Sequence, residues 1–145
     1  MADHFQLRLV DSFMLAPAVR HLVFERVDGQ LLAFQPGQFL QVHFHYDDGT
    51  ATKRSYSVAT VGDGSSPVPR IEIAVSYVEG GAATRLLGDL PVGDTIDASG
   101  PYGRFCLQAA DTHPRYLLLA TGTGVTPYRA MLPQIEKLLA AGDRD

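Results

Sequence analysis

From Ile71 to Val78 the chain alternates without a break. Ile71, Ile73, Val75 and Tyr77 fall on one side, and Glu72, Ala74, Ser76 and Val78 on the other. Strict period-two alternation predicts a strand with one buried face, because successive side chains of extended backbone point in opposite directions. A looser version recurs where Phe39, Val42, Phe44 and Tyr46 interleave with Gln41, His43 and His45. Weaker strand candidates are Phe5–Val10, Val19–Arg26, Lys53–Ala59, Thr95–Ala98 and Arg104–Leu107. Turn signals at Asp28-Gly29, Pro36-Gly37, Asp48-Gly49 and Gly62–Pro69 separate them. Many short strands with regular turns predict a closed barrel or a sandwich. One helix, Gly81–Asp89, interrupts them; its Leu86, Leu87 and Leu90 suit it to capping one end of a barrel.

After Asp111-Thr112-His113-Pro114 the pattern changes. Tyr116-Leu117-Leu118-Leu119-Ala120 is a continuous apolar run. It predicts a strand buried on both faces, as in a parallel sheet. Thr121-Gly122-Thr123-Gly124 follows, then a helical pattern from Pro127 to Ala141. Proline fits the first turn of a helix, where a missing N–H costs least. Pro133 falls further in, where it predicts a kink or a restart. Strand, glycine turn and helix make the first βα unit of a doubly wound domain. One strand cannot cover Met131, Leu132, Ile135, Leu138 and Leu139 of that helix. The chain therefore divides into a barrel domain, residues 1–110, and an incomplete second domain, residues 111–145. It reads as an N-terminal fragment, or as a chain completed by something else.

Of the 145 residues, 46% are hydrophobic and 19% charged, which argues against disorder. A net charge of −4 supplies no broad basic field, so nucleic acid is not an expected partner. The single cysteine, Cys106, can neither close an internal disulfide nor hold an iron–sulfur cluster alone. Redox chemistry must then come from another cofactor. No signal peptide and no membrane span are legible, which points to a cytoplasmic protein without a membrane partner.

Three motifs carry candidate chemistry. In Arg54-Ser55-Tyr56-Ser57, alternation puts Arg54 and Tyr56 on one face. An arginine there can grip a phosphate while the ring stacks on a flat heterocycle, and an ordinary strand edge is the alternative. Gly81-Ala82-Ala83-Thr84 opens the short helix. Its free N–H groups suit an anion, unless Thr84 only packs locally. Gly122-Thr123-Gly124-Val125-Thr126-Pro127 joins the apolar run to the helix, and its glycines allow close backbone contact with a dinucleotide. Gly100-Pro101-Tyr102-Gly103-Arg104-Phe105 reads as a structural turn.

Together with Pro36-Gly37-Gln38-Phe39, these segments occur in the order and spacing of the ferredoxin–NADP reductase family. The chain resembles bacterial ferredoxin/flavodoxin–NADP reductases over nearly its whole length. The resemblance implies an all-β Greek-key antiparallel barrel with a capping helix, followed by the first βα unit of an α/β doubly wound nucleotide-binding domain. It implies FAD as cofactor, NADP(H) or NAD(H) as co-substrate, hydride transfer at flavin N5, and electrons passed singly to ferredoxin or flavodoxin. By the same resemblance Arg54 binds the FAD pyrophosphate, with Ser55 in the same motif. Tyr56 packs on the isoalloxazine and Ser57 hydrogen-bonds near N5, which makes these two the catalytic candidates. Ala82, Ala83 and Thr84 hold the pyrophosphate through backbone amides and the threonine hydroxyl. Ala74 leaves room for the cofactor by its small size. Thr123 lies near the flavin, while Gly122, Gly124 and Pro127 shape the nicotinamide crevice.

A non-enzymatic flavin module inside a larger complex is the alternative, similar to the electron-transfer subunit of dihydroorotate dehydrogenase. A cofactor-free interaction barrel is a weaker one. His43 and His45 share a strand face, but no third ligand accompanies them, so a solvated face is expected and no metal site. Cys106 is read as a small packed hydrophobe.

Overall fold

The computed structural model describes residues 2–63 and 67–142. Gly64-Ser65-Ser66, within the expected Gly62–Pro69 turn, lies outside the described residues. Six strands form one antiparallel sheet: β1 (Asp3–Ala16), β2 (Val19–Arg26), β3 (Phe39–His45), β4 (Ala51–Ser57), β5 (Ile71–Ser76) and β6 (Thr95–Tyr102). Their order across the sheet is β4-β3-β6-β1-β2-β5. The edge strands meet where the Ala59 N–H, just past β4, donates to the Glu72 carbonyl of β5 at 2.8 Å. That bond closes the sheet into the expected barrel, and closure removes the unpaired strand edges.

Alternation sorts the residues. Leu7, Leu9, Leu22, Phe24, Leu40, Val42, Ile71, Ile73, Val75, Ile96 and Ala98 fill the interior. Glu72, Ala74 and Ser76 form the outward row of β5. Helix α1 (Ala82–Gly88) covers one end, with Leu87 buried and Leu86 and Leu90 packed on the core. Tyr77 supports it from below. Its hydroxyl accepts from Arg20 Nε at 2.6 Å, and its ring lies so close to Gly88 that an added Cβ would sit 3.3 Å from the phenol oxygen.

Several expectations are corrected. β1 runs on to Ala16, past the predicted Val10, paired with β2 from Leu7 onward. β4 starts two residues earlier and ends at Ser57, where Val58 turns to bond the Gln38 carbonyl. The Gly100–Tyr102 stretch is the end of β6 rather than a turn. Arg104–Leu107 is not a strand; the chain leaves the sheet at Gly103, whose φ of +103° suits only glycine.

The largest correction concerns Tyr116–Ala120. This run forms no strand, and Leu117 and Leu119 are 82% and 73% exposed. A parallel strand is held by neighbouring strands, and here the only described sheet is the antiparallel one. Helix α2 (Thr126–Ala140) passes through Pro133 without a restart and forgoes one backbone hydrogen bond there. It docks on the barrel through Thr126, Ala130 and Met131, all buried. Met131 is therefore covered, at 2% exposure, while Leu132 and Leu139 are exposed as expected. Gly37 makes this docking close: an added Cβ would lie 1.7 Å from the Phe105 carbonyl oxygen and 2.8 Å from Met131 Cε.

Truncating an interior leucine should cost far more than truncating the exposed run. Leu22→Ala, at a fully buried site, should lose about 2–5 kcal/mol in urea unfolding. Leu117→Ala should stay within about 0.5 kcal/mol of the parent chain. Equal losses would mean that the Tyr116–Ala120 run is buried after all.

Candidate functional site

The register of β3 and β4 pairs Val42 with Arg54, Leu40 with Tyr56 and Phe39 with Ser57. Arg54 and Tyr56 therefore share the face of the buried Leu40 and Val42. Ser55 and Ser57 point to the other face, so the four-residue motif does not converge on one point. Tyr56 is partly buried against the core, and burial raises its phenol above the usual range. Arg54 is exposed.

Arg54 is nevertheless held. Its Nη1 donates to Thr52 Oγ1 at 3.0 Å and to the Lys53 carbonyl at 2.8 Å, and its Nη2 donates to the Tyr46 hydroxyl at 3.0 Å. The Phe44 ring lies 5.9 Å from the guanidinium carbon. A guanidinium has five N–H donors, and three are used here. Two remain for a ligand. The Thr52 hydroxyl also donates to Tyr46 at 3.5 Å. That bond, the one from Arg54 and the guanidinium's charge stabilise phenolate, so Tyr46 is held below the ordinary phenol range. Sequence reading missed Tyr46, Thr52 and Phe44; their shared face with Arg54 across the β3–β4 hairpin was the available signal.

Facing this hairpin is the start of α1. Asp47, in the hairpin turn, pairs with Arg85 of α1 at 3.6 Å. Both side chains are well exposed, so the pair adds little stability, but it shows how near the two elements lie. At the start of α1 the Thr84 hydroxyl accepts from the Val78 N–H at 2.9 Å. The same oxygen would lie 3.2 Å from a Cβ added at Gly81. Thr84 thus has the local packing role that was its alternative reading, with its hydroxyl proton still free to donate. Ala82 and Ala83 put only methyl groups beside the first backbone N–H groups of α1.

The glycine turn reaches the barrel at β5. Gly122–Val125 forms one 3-10 turn, with Gly122 at φ +54°. The Ser76 hydroxyl donates to Thr123 Oγ1 at 3.2 Å, and the Thr126 hydroxyl donates back to the Thr123 carbonyl at 2.6 Å. Ala74 lies on the same outward face as Ser76, two residues away. Gly124 has open space beside it, since the nearest atom to an added Cβ is 3.9 Å off, and Pro127 stands in the first turn of α2. The structure thus brings Arg54, Tyr56 and the α1 start to one side of the barrel, and Ala74 and Thr123 to the outward face of β5.

His43 departs from the solvated face expected for it. It is half-buried, with Nε2 2.7 Å from Ser99 Oγ and its ring centroid 5.4 Å from that of His4. Burial, followed by the nearby His4 and Lys53, lowers its pKa. His45 is exposed. Among the described residues no group of three or more His, Cys, Asp or Glu is placed to hold a metal ion. Burial raises the Cys106 thiol, the opposite of what a reactive cysteine needs. No helix among the described residues is long and apolar enough to cross a membrane.

A closed six-stranded antiparallel barrel with one end helix is the architecture of a flavin-binding domain. The chain belongs to the oxidoreductase FAD-binding domain family, whose model matches residues 6–106. FAD is accordingly its cofactor. The chain is similar to ferredoxin–NADP reductase B of Sorangium cellulosum, 44% identical over 131 residues that cover 90% of this chain and 52% of that protein. It is similar also to the phenol hydroxylase P5 protein of Acinetobacter pittii, 31% identical over 144 residues covering 99% of this chain and 37% of the other. Among solved structures, an Amycolatopsis cytochrome P450 reductase superposes with a TM-score of 0.77 at 26% identity, over 99% of this chain and 41% of that one. The chain spans about half the length of the first of these relatives and less of the others.

The tyrosines should titrate in an order set by these surroundings. Of the six, Tyr46 should ionise at lower pH than Tyr56 in an alkaline absorbance titration. Tyr46→Phe should remove the early step, and Thr52→Ala or Arg54→Ala should move it upward. An unchanged titration in all three variants would show that Arg54 is not held by this hairpin.

Proposed function

We propose that this chain is the FAD-binding part of an oxidoreductase that moves electrons between NADP(H) and a one-electron carrier such as ferredoxin or flavodoxin. The observation that carries it is the tethered Arg54, with two donors to spare, across a short gap from the start of α1. An exposed arginine held by three hydrogen bonds has lost much of its rotamer freedom before any ligand arrives, so less entropy is lost on binding. A pyrophosphate fits that setting. Arg54 offers charge-assisted bonds on one side, and Ala82, Ala83 and Thr84 offer backbone N–H groups and a hydroxyl on the other.

Further along β4, Tyr56 presents a half-buried ring for a flat heterocycle, and Ser57 ends the strand with a hydroxyl suited to the hydride-accepting edge. Ser55, on the opposite face from Arg54, contributes backbone to the motif. Ala74 keeps the outward face of β5 open, and Gly122, Thr123, Gly124 and Pro127 form the near wall of a nicotinamide crevice. When bound, FAD supplies the chemistry: it accepts a hydride from the nicotinamide and releases electrons one at a time. The protein's share is to bind, orient and exclude water. Residues 1–110 form the flavin domain in this reading, and residues 111–145 open the nucleotide domain. The same reading puts the protein in the cytoplasm.

A second reading gives the electrons a different destination. The relatives include phenol hydroxylase P5 protein and a terephthalate 1,2-dioxygenase reductase component. Those names support a reductase component, or an electron-transfer module of a larger complex, whose acceptor is an oxygenase. The flavin site proposed is the same.

Arg54→Ala tests the reading. The lost charge-assisted bonds are worth roughly 1.5–3 kcal/mol, so FAD affinity should fall about tenfold or more, and FMN affinity, which involves no pyrophosphate, should fall less. Titration of each flavin into the apoprotein is the measurement. Equal losses would remove Arg54 from the pyrophosphate, and a folded sample that stays colourless in excess FAD would falsify the flavin assignment.

A further inference from the structure

The outward row of β5 does more than leave space. Three residues apart from the flavin motifs form a polar chain across the junction of barrel and helix. His21, on β2, is 3% exposed, and its Nε2 lies 2.9 Å from Oε1 of Glu72. A carboxylate accepts only, so the histidine nitrogen is the donor. The other Glu72 oxygen, Oε2, lies 3.5 Å from Nη1 of Arg129 on α2. The same Nη1 donates to the Ala59 carbonyl. Glu72 is fixed at its backbone as well: its carbonyl accepts from Ala59, and its N–H donates to Thr60 Oγ1 at 2.9 Å.

The position of this chain gives it meaning. Ala59 follows Ser57 by two residues, at the end of β4. Arg129 follows the Gly122–Thr126 turn by one helical turn. Ser76, four residues beyond Glu72 on the same row, holds Thr123 directly. Arg129 thus joins the strand end that carries Ser57 to the helix that carries the glycine turn, and the Glu72 carboxylate holds Arg129 from β5.

We propose that Glu72 and Arg129 are positioning residues that set the distance between the Ser57 end of β4 and the Gly122–Thr126 turn, with His21 holding the Glu72 carboxylate in place. This rests on the flavoenzyme reading, in which those two segments carry the hydride acceptor and donor. Hydride transfer depends steeply on that separation, and a misplacement of about 1 Å can cost on the order of a hundredfold in rate. Met131 against Gly37, and Lys137 Nζ donating to the Asp63 carbonyl at 2.8 Å, also hold α2 in place. The Arg129 bonds add a charged contact with fixed partners beside the Ser57 end of β4.

The test is local. Amide hydrogen exchange across residues 121–132 should speed up roughly tenfold in both Glu72→Gln and Arg129→Met, as expected for losing a hydrogen bond to a charged group at a partly exposed site. Exchange in β1 and β2 should not change. The double variant should exchange no faster than either single one, because each breaks the same chain. Arg129→Lys should restore most of the protection, since one nitrogen serves both acceptors and an ammonium can do the same. FAD affinity should be unaffected in all of them. Unchanged exchange in both single variants, effects that multiply in the double variant, or no recovery with lysine would each overturn the proposal. Arg129 is on the half-exposed side of α2, so its loss does not threaten the barrel core. Failure of the parent chain to bind FAD would sink the flavin reading and leave the exchange result standing.

Discussion

The contact between the two edge strands is what the rest of the structure depends on. A six-stranded sheet in the order β4-β3-β6-β1-β2-β5 has two open edges, and the Ala59-to-Glu72 bond brings them together. With the edges joined, one face of every strand turns inward. Leu22 and Phe24 of β2, Leu40 and Val42 of β3, and Ile71, Ile73 and Val75 of β5 then bury one another. The outward residues are left in rows whose neighbours are fixed by register. Glu72 beside Arg129 and Ser76 beside Thr123 are contacts of that outward surface.

Stability and function draw on different parts of this arrangement. Interior side chains each contribute on the order of 1.5–3 kcal/mol by burial. The exposed ion pairs, such as Arg85 with Asp47, contribute well under that. The polar groups therefore matter less for whether the barrel folds than for where particular atoms sit once it has folded. Arg54 is the clearest case. Its three hydrogen bonds add little to stability at an exposed site, yet they fix where the guanidinium sits on the hairpin. The Thr84 hydroxyl behaves similarly, spending its acceptor on the turn and keeping its proton.

The glycine turn and α2 show how the second segment borrows the first. Thr126, Ala130 and Met131 are buried by the barrel, and Gly37 allows the approach because any side chain there would strike the Phe105 carbonyl. The Tyr116–Ala120 run pairs with no strand of the described sheet, and its Leu117 and Leu119 side chains are exposed.

The sequence by itself determined the elements with strong periodicity and their order. The alternation at Ile71–Val78, the span Val19–Arg26, the helix after Gly81 and the helix after Pro127 were all legible, because each is set by local spacing of apolar residues. The motif order, from Pro36-Gly37 to Gly122–Pro127, was legible as a resemblance to the reductase family. Pairing was not. Nothing local says that β4 meets β5, and nothing local puts Glu72 between His21 and Arg129, because those contacts join residues up to 57 positions apart. The length of β1, the fate of Tyr116–Ala120 and the burial of His43 and Met131 went the same way. Each depends on which other segment arrives to pair or cover, and only the closed barrel decides that.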